Sequence, residues 1–150
     1  MKVERTYIMV KPDGVQRGII GEVLKRYEQR GLKLVAAKFC KPSEQVVAEH
    51  YVEHREKPFF SELCDFIGQG PVFCMIWEGP EAVKIGRKVV GVTSPLESDA
   101  GTIRGDFGVV THLNLVHASS SIEDAERECH LWFKPEEIVS WDRSVGSWIY

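Results

Sequence analysis

No apolar run in this sequence is long enough to span a bilayer, which takes about 18 residues; the longest, Val72 to Trp77, suits a buried strand. Lys2, Val3, Glu4 and Arg5 follow Met1, so the opening lacks the apolar pattern of a secretory signal. A cytoplasmic protein without membrane contact is the expectation. Positive charge is not in excess either: 19 Lys and Arg against 22 Asp and Glu leave a formal net charge of −3. Non-specific nucleic-acid binding therefore has no electrostatic basis. The four cysteines, at 40, 64, 74 and 129, form no C-x-x-C pair and lie in or beside apolar patterns, so reduced, mostly buried thiols are expected. There is no G-x-x-x-x-G-K-[ST], no G-x-G-x-x-G after a strand and no G-x-S-x-G. Those gaps remove the P-loop, the Rossmann fingerprint and the hydrolase elbow. Repeats, low-complexity tracts and linkers are missing too, so residues 1–150 read as one domain.

What is present alternates between two periods. Thr6 to Val10 reads as a strand closed by a turn at Lys11-Pro12-Asp13-Gly14. Helical spacing runs from Gly18 to Gln29, with Gly31 placed as a C-terminal cap. Leu32 to Phe39 is rich in strand formers, and Ser43 can cap a helix running to about Arg55. After Lys57-Pro58-Phe59-Phe60 come a short helix to Ile67, the strand Val72 to Trp77, and a helix opened by Gly79-Pro80. Val92 to Gly108 reads as irregular, a short strand is expected near Leu113 to Val116, and a helix starts at about Ile122 with Ser120 and Glu123 at capping-box spacing. This order predicts an α+β fold: a ferredoxin-like split βαβ sandwich, with a four-stranded antiparallel sheet and helices packed on it.

Several residues carry chemistry. His50 and His54 stand at i, i+4, but HYVEH is not H-E-x-x-H and supplies no third metal ligand, so no protein metal site is expected. His117 follows a short apolar run and precedes three serines. One imidazole nitrogen can act as a nucleophile when the other is held, and Glu128 and Ser119 are candidate holders. A structural histidine beside capping serines fits the spacing as well. Lys11, Arg87 and Arg104 could together neutralise a polyphosphate without a P-loop. Phe59 reads equally as an exposed aromatic platform or a core anchor.

The ordered segments ERTYIMVKPDGVQRGIIGEVL, HYVEHREKPFF, GPVFCMIWEG, TSP with TIRGDFG, NLVHAS, EDAEREC, LWFKPEE and SVGSWIY resemble nucleoside diphosphate kinases over nearly the whole chain. The resemblance implies a ferredoxin-like α/β sandwich. It also implies ping-pong transfer of the γ-phosphate of a nucleoside triphosphate, mainly ATP, to nucleoside diphosphates, maintaining NTP and dNTP pools. By the same likeness His117 is the phosphate carrier, with Glu128 and Ser119 orienting it. Lys11, Tyr51, Arg87, Thr93, Arg104 and Asn114 match positions contacting phosphates, sugar or the histidine's surroundings. Phe59 matches the aromatic under the base. Mg²⁺ is the implied cofactor, carried by the nucleotide phosphates, because magnesium keeps waters and favours substrate oxygens.

Two positions depart from the family pattern H-G-S-D-S, since this chain reads His117-Ala118-Ser119-Ser120-Ser121. Ala118 is harmless unless the backbone needs positive φ there. Ser120 replaces an acid near a helix N-terminus, a favourable term of about 0.3–1 kcal/mol. Pro95 and the ending Trp148-Ile149-Tyr150 resemble hexameric members, so a homohexamer is expected.

Overall fold

The computed structural model describes residues 2–150. Four strands form one sheet: β1 Val3–Val10, β2 Lys33–Cys40, β3 Val72–Pro80 and β4 Val116–Ala118. Their order is β2-β3-β1-β4, and each neighbouring pair is antiparallel. The helices are α1 Pro12–Gln16, α2 Ile20–Arg30, α3 Glu44–His50, α4 Phe60–Ile67, α5 Ala82–Val90, α6 Ile103–Phe107 and α7 Ile122–Trp132. This is the ferredoxin-like sandwich expected from the element order.

Strand β1 is central, and its period-2 alternation feeds two cores. Ile8 and Val10 join Val23, Tyr27, Met75, Trp77 and Ile103 on one face, beneath α2, α5 and α6. Tyr7 and Met9 join Val47, Ile67, Cys74, Ile76 and Trp132 on the other, beneath α3, α4 and α7. Each such large apolar side chain contributes roughly 1.5–3 kcal/mol when withdrawn from water. Helix α2 ends at Gly31, whose φ of 106° needs a residue without Cβ.

Local signals misplaced several boundaries. The turn read at Lys11–Gly14 is the short helix α1, with Pro12 at its first position. The irregular stretch contains α6, capped by Thr102, whose hydroxyl accepts from the Gly105 N–H. Ser121, not Ser120, caps α7: its hydroxyl accepts from the Asp124 N–H at 3.0 Å. Strand β4 begins at Val116 rather than Leu113, because Leu115 has φ 75° and the Val116 N–H returns to the Asn114 carbonyl at 2.8 Å. That γ-turn cannot join a ladder, so pairing starts after it. All four cysteines are free, as expected, with Cys74 and Cys129 buried and Cys40 and Cys64 half-buried.

Candidate active site

The γ-turn at Leu115 organises the site. Its carbonyl accepts from the Lys11 N–H at 2.9 Å, and its N–H donates to Asp13 Oδ2 at 3.0 Å. A Cβ on Gly14 would stand 2.8 Å from the Leu115 carbonyl oxygen, so only glycine lets α1 approach this closely. Arg104 braces the turn from beneath, 4% exposed. It donates from Nε to the Asn114 carbonyl at 3.1 Å, from Nη2 to Val116 at 2.6 Å and from Nη1 to Val92 at 3.1 Å.

His117 lies inside β4, opposite Met9, just past the strand end expected near Val116. Its Nε2 lies 2.9 Å from Glu128 Oε1. The Ser119 hydroxyl donates to the same oxygen at 2.7 Å, and Ser119 Oγ accepts from the Tyr7 N–H at 3.1 Å. Burial pushes the Glu128 carboxyl up, but His117, His50 and the Ser119 hydrogen bond together outweigh it and hold it below its ordinary value. An ionised carboxylate only accepts, so Nε2 carries the proton of the neutral His117 ring and Nδ1 keeps a lone pair.

The cationic and amide groups gather next to this pair. Lys11 Nζ donates to Asn114 Oδ1, and Asn114 Nδ2 donates to the Thr93 carbonyl at 3.0 Å. Burial lowers the Lys11 ammonium to about 8, opposed by Asp13 and helped by Arg104. Arg87, on α5, donates from Nη1 to the Ala118 carbonyl at 3.2 Å. Tyr51 packs edge-on against His50 at 4.8 Å, and burial raises its phenol well above the ordinary value. Phe59 is 44% exposed, resolving the platform-or-anchor alternative toward an open ring. It reaches the cluster through ring contacts with His54 at 5.5 Å, which in turn meets Tyr51 at 6.4 Å.

His117, Glu128 and Ser119 are thus brought together directly, and Lys11, Asn114, Thr93 and Arg104 form an adjoining network. Sequence reasoning passed over three contributors. Asp13 ties α1 to the γ-turn. His50 pairs along the chain with His54, yet its partner in the structure is Trp132, whose signal in the sequence is weaker still. Trp132 stands at i+4 from Glu128 on α7, a spacing that puts both on one helix face.

His50, His117 and Glu128 offer donor atoms within 4.8 Å of one another, a set that suits a metal by residue type. The hydrogen bonds argue otherwise. The Trp132 indole donates to His50 Nδ1 at 3.0 Å, so the neutral ring carries its proton on Nε2 and has no free lone pair. Glu128 Oε1 already serves His117 and Ser119. The trio is a hydrogen-bonded cluster and does not fit a resident metal.

The family profile described as nucleoside diphosphate kinase matches residues 4–138. A protein of that name from Oceanobacillus iheyensis is 53% identical over 148 residues, covering 99% of this chain and 100% of the relative. The crystal structure of a nucleoside diphosphate kinase family protein from Babesia bovis superposes with a TM-score of 0.97 at 74% identity, covering 98% of this chain and 99% of that one. A halophilic nucleoside diphosphate kinase from Halobacterium salinarum, in complex with CDP, gives 0.94 at 48%, covering 99% of each chain.

Proposed function

The chain belongs to the nucleoside diphosphate kinase family and is a phosphotransferase of that kind, and we propose that it works through a phosphohistidine on His117. One observation carries the reading: Nε2 of His117 is occupied by Glu128, which leaves Nδ1 as the nucleophile. In the first half-reaction Nδ1 attacks the γ-phosphorus, the bond from phosphorus to the β,γ-bridging oxygen breaks, and the nucleoside diphosphate leaves with that electron pair. The second half-reaction reverses this with a different nucleoside diphosphate. Glu128 steadies the imidazole as charge develops on it, and Ser119 holds Glu128.

Lys11, Arg87, Asn114 and Thr93 are assigned to phosphate and sugar oxygens. Arg104, with three nitrogens committed to carbonyls, contributes field and shape as well as any direct contact. Phe59 and Tyr51 frame the base and the approach to it; stacking, worth roughly 1–3 kcal/mol, accepts every base. The CDP on the Halobacterium salinarum protein accords with substrates of this class. Mg²⁺ enters as part of the nucleotide substrate, with ATP the main donor and pool maintenance the cellular role.

A homohexamer belongs to the same reading, supported by the open apolar residues Leu96, Val109 and Trp148. One domain over 1–150 is supported by the single sheet with a core on each face. Among the described residues no helix is long and apolar enough to cross a membrane; a cytoplasmic setting rests on the four free cysteines. Incubation with γ-labelled ATP should leave acid-labile, alkali-stable label on the protein, discharged by any nucleoside diphosphate. Undiminished labelling of a His117→Ala variant would remove the assignment.

A further inference from the structure

His50 and Trp132 have no role in the chemistry above, yet His50 stands against its nucleophile and Trp132 stands behind His50. His50 closes α3, is 4% exposed, and accepts the Trp132 Nε1–H on Nδ1 at 3.0 Å. An indole nitrogen only donates, so this bond dictates that the His50 proton sits on Nε2. Burial, followed by the nearby His117, lowers His50 to about 3 and keeps the ring neutral. The His50 ring stands edge-on to His117, with centroids 4.5 Å apart and planes at 78°. On another side the Tyr7 ring lies 5.9 Å from His117, and Trp132 stacks on Tyr7 at 5.5 Å and 17°. Trp132 therefore fixes both neighbours of His117, one by a hydrogen bond and one by stacking. Arg127 adds a tie between α7 and α3 by donating to the Glu49 carbonyl at 3.0 Å.

We propose that Trp132 and His50 are positioning residues for phosphotransfer: the indole N–H sets the tautomer and angle of His50, and His50 holds the His117 ring with Nε2 on Glu128 and Nδ1 open. The inference rests on His117 being the phosphate carrier. Its physical content is rotational. A half-turn of the His117 ring about Cβ–Cγ would put Cε1 in place of Nε2 and Cδ2 in place of Nδ1, so the N–H would leave Glu128 and the nucleophilic nitrogen would leave its open position. The edge of a neutral, anchored imidazole opposes that turn. A His50 released from Trp132 could swap tautomers and turn, and the His117 ring would lose the fixed edge that stands against it.

Trp132→Phe deletes the N–H and keeps a ring to stack on Tyr7. Single-turnover phosphorylation of His117 by γ-labelled ATP should slow roughly tenfold at saturation. The ATP concentration giving half-maximal rate should stay within about twofold, because neither residue touches nucleotide in the reading above. Nitrogen-15 spectra of the imidazoles should show His50 changing from one tautomer to a mixture. His50→Gln, whose amide N–H can reach the Nε2 position, should recover part of the loss in His50→Ala. An unchanged saturating rate in Trp132→Phe, or a loss confined to the half-maximal concentration, would overturn the proposal. If Trp132→Phe fails to fold, the His50 pair decides, and equal losses in Gln and Ala count against it. Failure of the unaltered protein to label at His117 would instead overturn the underlying phosphohistidine reading.

Discussion

His117 Nε2 and Glu128 Oε1 lie 2.9 Å apart, the first on the short strand β4 and the second on the helix that follows it. Only β4's pairing with β1 and the packing of α7 over β1 make the contact possible. Glu128→Ala should lower the saturating phosphorylation rate by roughly 10²-fold, within the range for a positioned proton-handling group. Nucleotide affinity should change little, since the carboxylate faces the imidazole. The buried Ser119 hydroxyl and the His117 N–H lose a shared acceptor, so urea titration should show a stability loss of about 1–3 kcal/mol. A large rise in KM with the turnover number preserved would contradict this account.

Ala118 is not among the residues with positive φ, and it pairs with Ile8 in the ladder. Glycine has no conformational advantage there. Restoring the family residue with Ala118→Gly should therefore cost about 0.5–1 kcal/mol and leave activity unimproved. Ser120→Asp should add about 0.3–1 kcal/mol through the α7 dipole, because Ser121 supplies the cap independently. Thermal melts and initial rates of the two variants test both statements; a rate gain in Ala118→Gly would show that the backbone there is strained.

Burial pushes the Lys11 ammonium down from its ordinary 10.5 to about 8. As pH rises through 8 the free site loses positive charge, so KM for the nucleotide should climb above that pH. Bound phosphate favours the ammonium, so binding near pH 8 should take up a proton. Calorimetry in buffers of different ionisation enthalpy measures that uptake. No buffer dependence would remove Lys11 from the phosphate contacts.

His50 titrates at about 3 in the folded protein against an ordinary 6.5. The unfolded chain thus binds the proton first, so this contribution is complete above about 6.5 and is lost as pH falls toward 3. The slope from this one group is at most about 1.4 kcal/mol per pH unit. Glu128, held below its ordinary 4.5, adds a second loss at the acid end of the same window. Denaturant titrations at pH 7.5, 6 and 5 should show the decline, and His50→Asn should flatten its upper part. An identical slope in the variant would exclude His50 as its source.

Most elements were legible because their causes are local. The run of strand formers at Thr6–Val10, the helical spacing from Gly18, and Gly31 as a cap all act within a few residues, and the structure keeps each. The misplaced ends have physical reasons too. Three consecutive serines can each cap α7, and only the extended backbone of Ser121, with φ −150° and ψ 169°, selects one. No side-chain pattern announces the φ of 75° at Leu115 that moves His117 into the strand. Arg104 looked like a free phosphate ligand because its carbonyl partners come from two other segments.

By itself the sequence determined the alternating elements, the α+β class and the residue types at the site, since periodicity and motif order are properties of neighbours along the chain. Tertiary structure alone decided which His117 nitrogen is held, that Arg104 braces a turn, and that Trp132 reaches His50 across 82 positions. Those outcomes depend on strand order and on two helices meeting over one sheet face. Hydrogen-bond direction within a buried cluster follows from the donors and acceptors that arrive there together.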